Sequence, residues 1–152
     1  MQDGNYIETQ KLSEQNLSWS SLGVHSYIKI IILAAAVYGI FHIEIYSIVQ
    51  RWLTDSSWSH GFLIPLFSLY FINQKKNEIL TVLPKSNYLG LVFLICSLVL
   101  YLLFVFVYRF GYLMDIMIIP AIGSIVLLIG GWKLIKYTWL PIVYIFFAIP
   151  IP

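Results

Sequence analysis

The run from Tyr88 to Tyr108, Tyr-Leu-Gly-Leu-Val-Phe-Leu-Ile-Cys-Ser-Leu-Val-Leu-Tyr-Leu-Leu-Phe-Val-Phe-Val-Tyr, carries no charge over 21 residues. As a helix it is about 30 Å long, the thickness of a bilayer's hydrocarbon core. It is apolar on every side, so in water it would need covering all round, and 152 residues leave little chain to do so. In lipid every backbone N–H and C=O must be satisfied within the protein, which permits helices or a closed barrel. Composition extends the same conclusion to the whole chain. Hydrophobic residues make up 60%, charged residues 11%, and mean hydropathy is +0.84. The expected fold is all-α, a polytopic transmembrane helix bundle.

About five spans are expected, over 30–49, 58–72, 88–108, 112–132 and 138–151, in a membrane domain covering 27–152. Residues 1–26 form a polar tail with Asp3, Glu8, Glu14 and Lys11 but no signal-peptide pattern. Its composition predicts no fixed structure beyond one amphipathic turn around Trp19. The second segment is short, about 15 residues, so length alone permits a re-entrant turn. Charge decides. If every segment crosses, Lys11, Lys29, Lys75, Lys76, Lys85, Lys133 and Lys136 share one side, against Arg51 and Arg109 on the other. Seven of nine cations on one face is the stronger bias, and it predicts a cytoplasmic tail. The Asn73–Asn87 stretch then reads as a cytoplasmic loop, and Lys133 with Lys136 as a cytoplasmic turn.

Ionisable groups within spans are functional candidates by default. Glu44 lies seven residues before Arg51, roughly 10 Å along a helix and within reach of the interface. His42 and Glu44, two residues apart, point to nearly opposite helix faces and cannot jointly grip a metal. Anchoring at the interface and lining a polar site both remain open for them. Cys96 is the sole cysteine, which excludes an internal disulfide. With no basic partner and no water it reads as a packing residue, not a nucleophile. Gly123, Gly130 and Gly131, with Ala121 and Ser124, give the fourth span small faces for close helix packing. Glu44, Arg51, Arg109 and Asp115 fall at or near the outer face, as do Asp55 and His60. A site in this chain is therefore expected to open outward. The basic residues are scattered, so no nucleic-acid partner is expected, and neither a metal nor a cofactor is indicated.

The stretch Trp52–Pro65, Trp-Leu-Thr-Asp-Ser-Ser-Trp-Ser-His-Gly-Phe-Leu-Ile-Pro, gathers most of the groups able to do chemistry. It reads as a loop feeding a helix start, with Asp55 or a serine as N-cap and Pro65 in an early turn. Trp52 and Trp58 suit the lipid–water boundary. Asp55, Ser59 and His60 supply the letters of a hydrolase triad, but adjacent Ser and His point about 100° apart, whereas a triad needs hydrogen bonds in series. A metal site from His60, Asp55 and Glu44 lacks any recognised ligand spacing. Orienting a substrate suits Asp55, Ser59 and His60 better, with capping and anchoring as the alternative.

The run Asp55-x-x-x-Ser59-His60-Gly61-Phe62-x-x-Pro65 resembles the early signature of the exosortase/archaeosortase family. Later, Gly131-Trp132-Lys133, Pro141 and Ile145-Phe146-Phe147-Ala148-Ile149-Pro150-Ile151-Pro152 resemble that family's Gly-Trp-basic turn and its phenylalanine-rich stretch ending in Pro-x-Pro. The resemblance spans Trp52 to Pro152. It implies a polytopic cell-membrane cysteine protease and transpeptidase, acting on membrane-anchored proteins with a C-terminal Pro-Glu-Pro sorting signal. In that family the attacking cysteine sits in an Ala-Cys-Ser-Gly-like motif, followed by arginine and histidine or arginine partners. This chain has no such run, and Cys96 lies in a different context, so no catalytic residue carries over. The expectation is an N-terminal, inactive fragment of such an enzyme in the inner membrane. The alternative is a non-enzymatic membrane protein, a transporter subunit or regulatory partner, which would show broken helices or charged groups deep in several spans.

Overall fold

A computed structural model describes residues 18–82, 87–109 and 111–151. It consists of helices and short turns, with no strand among the described residues. Helix α1 runs Val24–Thr54, extending past both ends of the 30–49 segment. A 3₁₀ turn, Ser56–Phe62, leads into α2, Leu63–Gln74. Pro65 is the third residue of α2, where its missing N–H costs nothing. At 12 residues α2 is about 18 Å long, well short of the hydrocarbon core. A short helix, α3, occupies Lys76–Val82, where the sequence predicts a loop. Its buried Ile79 explains the difference, since one apolar anchor on a charged segment gives it a face to bury.

Helix α4, Tyr88–Leu103, starts at Asn87, whose side chain accepts from the Leu89 N–H at 3.0 Å. Its last turn widens to π spacing over Phe104–Tyr108 and stops at Arg109, which sits in the left-handed region (φ 51, ψ 32). Helix α5, Gly111–Ile116, tightens at Met117 before α6, Ile118–Tyr144. Pro120 accounts for the tightening, because it has no N–H to offer the Ile116 carbonyl.

Helix α6 is not one rod. At Gly131 the backbone takes φ 66, ψ −166, a conformation open essentially to glycine alone. The contacts show the chain folding back there. Leu128, just before the break, packs against Gly90 at the start of α4, while Pro141, beyond it, bonds to Ser68 of α2. Further along, Ile149 rejoins the buried cluster that holds Ile118. Residues 118–130 and 132–144 are thus two legs of a hairpin, and the turn falls just ahead of Lys133. Gly130 is part of the same device, as a Cβ there would run into the Leu134 side chain.

Among the described residues three segments are long and apolar enough to cross a membrane, Val24–Thr54, Tyr88–Tyr108 and Gly111–Ala148, and the third is the one folded in two. The exterior is correspondingly apolar, with Phe106 and Tyr88 among many large side chains facing outward. The chain is an all-α membrane bundle in contact with lipid. Its interior uses the small residues differently from the expectation. Ala121, Ser124 and Leu127, at three-residue spacing, face inward, whereas Gly123 has open space beside it. Close approach happens at Gly90, where a Cβ would meet the Leu128 backbone and where the Asn87 N–H reaches the Leu128 carbonyl at 3.1 Å.

Candidate functional site

The loop after α1 is built from its own polar residues. The Asp55 N–H closes α1 on the Arg51 carbonyl at 2.9 Å, and its carboxylate caps the next turn by accepting from the Ser57 N–H at 2.9 Å. Ser59 Oγ donates to the Ser56 carbonyl at 3.0 Å, and the His60 ring stacks on Trp58 at 5.7 Å. Each of Asp55, Ser59 and His60 therefore has a separate local partner. All three are solvent-exposed. They share one loop without forming a hydrogen-bonded series.

Trp52 ties this loop to the far end of the chain. Its indole Nε1 donates to the Ala148 carbonyl at 2.8 Å, and Phe62 meets the ring edge-on at 5.1 Å. Gly61 must be a glycine here, because a Cβ would overlap the indole. Trp52 is thus half-buried and acts as a clasp between the loop and the last part of the chain. About two turns past Gly61, Ser68 Oγ donates to the Pro141 carbonyl at 2.8 Å. That carbonyl is available because the Ile145 N–H turns to Ile142 as the chain tightens into the 3₁₀ turn Ile145–Ala148.

Between these two clasps lies an open groove of about 540 Å³. Leu63, Ile64 and Phe67 form one wall, Tyr144, Phe147 and Ile149 the other, and His60 with Trp58 stands at the rim. The lining is apolar apart from these few polar tips, as in sites that hold apolar ligand segments. A second hollow, about 450 Å³, separates the first half of α1 from the hairpin and is almost wholly apolar. Trp19 reaches across its end, donating from Nε1 to Asn73 Oδ1 at 3.0 Å.

A different set of polar groups is hidden within the bundle. Glu44 is 7% exposed and Asp115 6%. The Tyr101 hydroxyl donates to Glu44 Oε1 at 2.7 Å, while Glu44 Oε2 has no partner among the described residues. Asp115 lies within electrostatic reach of both Glu44 and Arg51, and Arg51 Nη1 approaches the Pro150 carbonyl at 3.5 Å. Glu44 and Asp115 are thus buried near each other with the exposed Arg51 at their edge, and Arg109, also exposed, lies at the end of the π turn. Sequence reasoning missed Tyr101. The available signal was a tyrosine inside the uncharged Tyr88–Tyr108 run, since a buried hydroxyl needs an acceptor. His42 faces outward, its Nδ1 3.0 Å from the Gly39 carbonyl, as two-residue spacing from Glu44 requires. Cys96 also faces outward, and its neighbour Ser97 is the buried one, so the thiol does not pack in the core. No three His, Cys, Asp or Glu side chains converge on a metal geometry among the described residues.

These features define a class first: a polytopic α-helical membrane protein with a polar loop clasped over an apolar groove. The family model described as transmembrane exosortase matches residues 52–152. The chain belongs to the transmembrane exosortase family. Comparison with curated proteins and with solved structures found no match.

Proposed function

We propose that this chain is the substrate-holding part of an exosortase-like enzyme that processes membrane-anchored proteins bearing a C-terminal Pro-Glu-Pro sorting signal. The observation that carries the reading is the groove. The two stretches that resemble the family's signatures, Asp55–Pro65 and Phe146–Ile151, are far apart in sequence yet form its opposite walls. Its apolar lining suits the start of the signal's membrane helix, and the exposed Asp55, Ser59 and His60 at its rim suit the polar residues just outside the lipid. The seven-to-two lysine and arginine bias supports a cytoplasmic N-terminus and an outer-facing groove in the inner membrane. The chemistry of cleavage and acyl transfer is assigned elsewhere, because these 152 residues contain no Ala-Cys-Ser-Gly run. No peptidase activity is expected of the chain alone.

A photoreactive residue at Leu63 or Phe147 tests this in cells that also express a sorting-signal protein. The expected result is a covalent adduct that is lost when Pro-Glu-Pro is replaced while the membrane helix is kept, and weakened by His60→Ala. Equal adducts with and without Pro-Glu-Pro would mean random membrane collision and would overturn the reading. One observation favours the non-enzymatic alternative, the buried Glu44 and Asp115 among irregular helices, which resemble the ion sites of transporters.

A further inference from the structure

Three helices lose their regularity within about one turn of the same buried point. In α1, Phe41 departs from helical dihedrals (φ −102, ψ 17) three residues before Glu44. In α4 the π turn begins at Phe104, three residues after Tyr101. Between α5 and α6 the chain tightens at Met117, two residues after Asp115. Irregular backbone at membrane depth is tolerated where it is buried in protein or lines a polar cavity, and π turns inside helices are frequent at functional sites. Such breaks also free carbonyl oxygens, which coordinate cations in broken membrane helices.

The charges around that point do not balance. Glu44 and Asp115 are both buried, whereas the cation nearest them, Arg51, is exposed, so no buried positive charge faces the two carboxyl groups among the described residues. Glu44 Oε2 is the oxygen without a partner, on a side chain 7% exposed. The other titratable groups packed there are Tyr101 of α4, which already donates to Oε1, and the half-buried Tyr112 of α5. Helix α6 contributes Ile118 and Ala121, which carry no charge. Phe41, fully buried and 4.6 Å from the Tyr101 ring, closes the cluster off on one side. An uncompensated carboxylate in such a place is costly, so the folded state gains from a bound positive charge.

We propose that Glu44, with Tyr101 and Asp115, forms a buried site for one exchangeable monovalent cation, a proton or an alkali ion such as sodium. The site shares no residue with the groove on which the sorting-enzyme reading rests, so it does not depend on that reading.

The test is thermal unfolding of the purified full chain in lipid nanodiscs, in sodium chloride or choline chloride, between about pH 5 and pH 9. A cation that binds the folded state raises its Tm. The wild type is expected to melt higher with added sodium or with falling pH, and Glu44→Gln is expected to lose that dependence. Identical pH and sodium dependence in the two proteins would overturn the proposal. Dicyclohexylcarbodiimide, an apolar reagent for protonated carboxyl groups, separates the two occupants. A Glu44 adduct that sodium suppresses identifies the alkali ion; one that grows in acid and ignores sodium identifies the proton. If Glu44→Gln fails to fold, the labelling decides: a Glu44 adduct supports the site, and its absence at every pH in choline overturns it.

Discussion

Trp52 fills the space in which a side chain at Gly61 would stand, and its indole is pinned to Ala148 from the other side. Gly61→Ala should therefore destabilise the folded chain by about 1–3 kcal/mol through overpacking. Trp52→Phe should cost about 1 kcal/mol for the lost hydrogen bond, plus ring packing. Because both act on one contact, the double substitution should cost less than the sum of the singles in chemical denaturation. Additive losses would show that the ring and the glycine do not meet. Asp55 separates structure from recognition. Asp55→Asn keeps an acceptor for the Ser57 N–H and should leave stability within about 0.5 kcal/mol, whereas Asp55→Ala should lose roughly 0.5–2 kcal/mol with the cap. A weaker photo-adduct from Leu63 or Phe147 in the asparagine variant at unchanged stability would assign the charge to substrate; an undiminished adduct would leave Asp55 a cap.

Among the helices, the α6 hairpin rests on one backbone conformation. Gly131→Ala forces a Cβ into a region that L-residues avoid and should cost about 1–3 kcal/mol, read as a lower Tm in nanodiscs. Wild-type stability in that variant would mean the two legs turn without the strained glycine. The packing of α4 on the hairpin offers a paired comparison. Gly90→Leu should push α4 off Leu128, at a cost of at least about 1–3 kcal/mol, while Gly123→Leu has open space and should be nearly neutral. Reversed effects would place the close approach at the wrong glycine. The sequence marks both residues as small, and only the neighbouring helix distinguishes them.

Across the bundle as a unit, the Ser56–Phe62 turn and the Asn73–Lys76 corner lie at opposite ends of α2. With Cys96 replaced by alanine, a single cysteine at Ser57 should react with a membrane-impermeant maleimide on intact cells. One at Lys75 should react only after the membrane is opened. Both positions are exposed, so access depends on sidedness alone. The reverse pattern would invert the orientation drawn from the lysine bias and would place the groove on the cytoplasmic face.

That this chain is helical and lipid-embedded follows from its residues without reference to any contact. Uninterrupted apolar length and unsatisfied backbone groups in lipid leave few other solutions, and the Tyr88–Tyr108 run alone nearly suffices. The Asp55–His60 loop and its cap are legible in the same way, because capping is a local matter of side chain and backbone. Which residues meet across helices was not legible. The Asp55–Pro65 and Phe146–Ile151 stretches are joined through Trp52 and the groove, and nothing local predicts that pairing. The burial of Glu44 against Tyr101 is likewise set by the rotation of α1 against α4, which spacing within either helix cannot fix. Helix periodicity tells which residues share a face; only packing tells what that face meets.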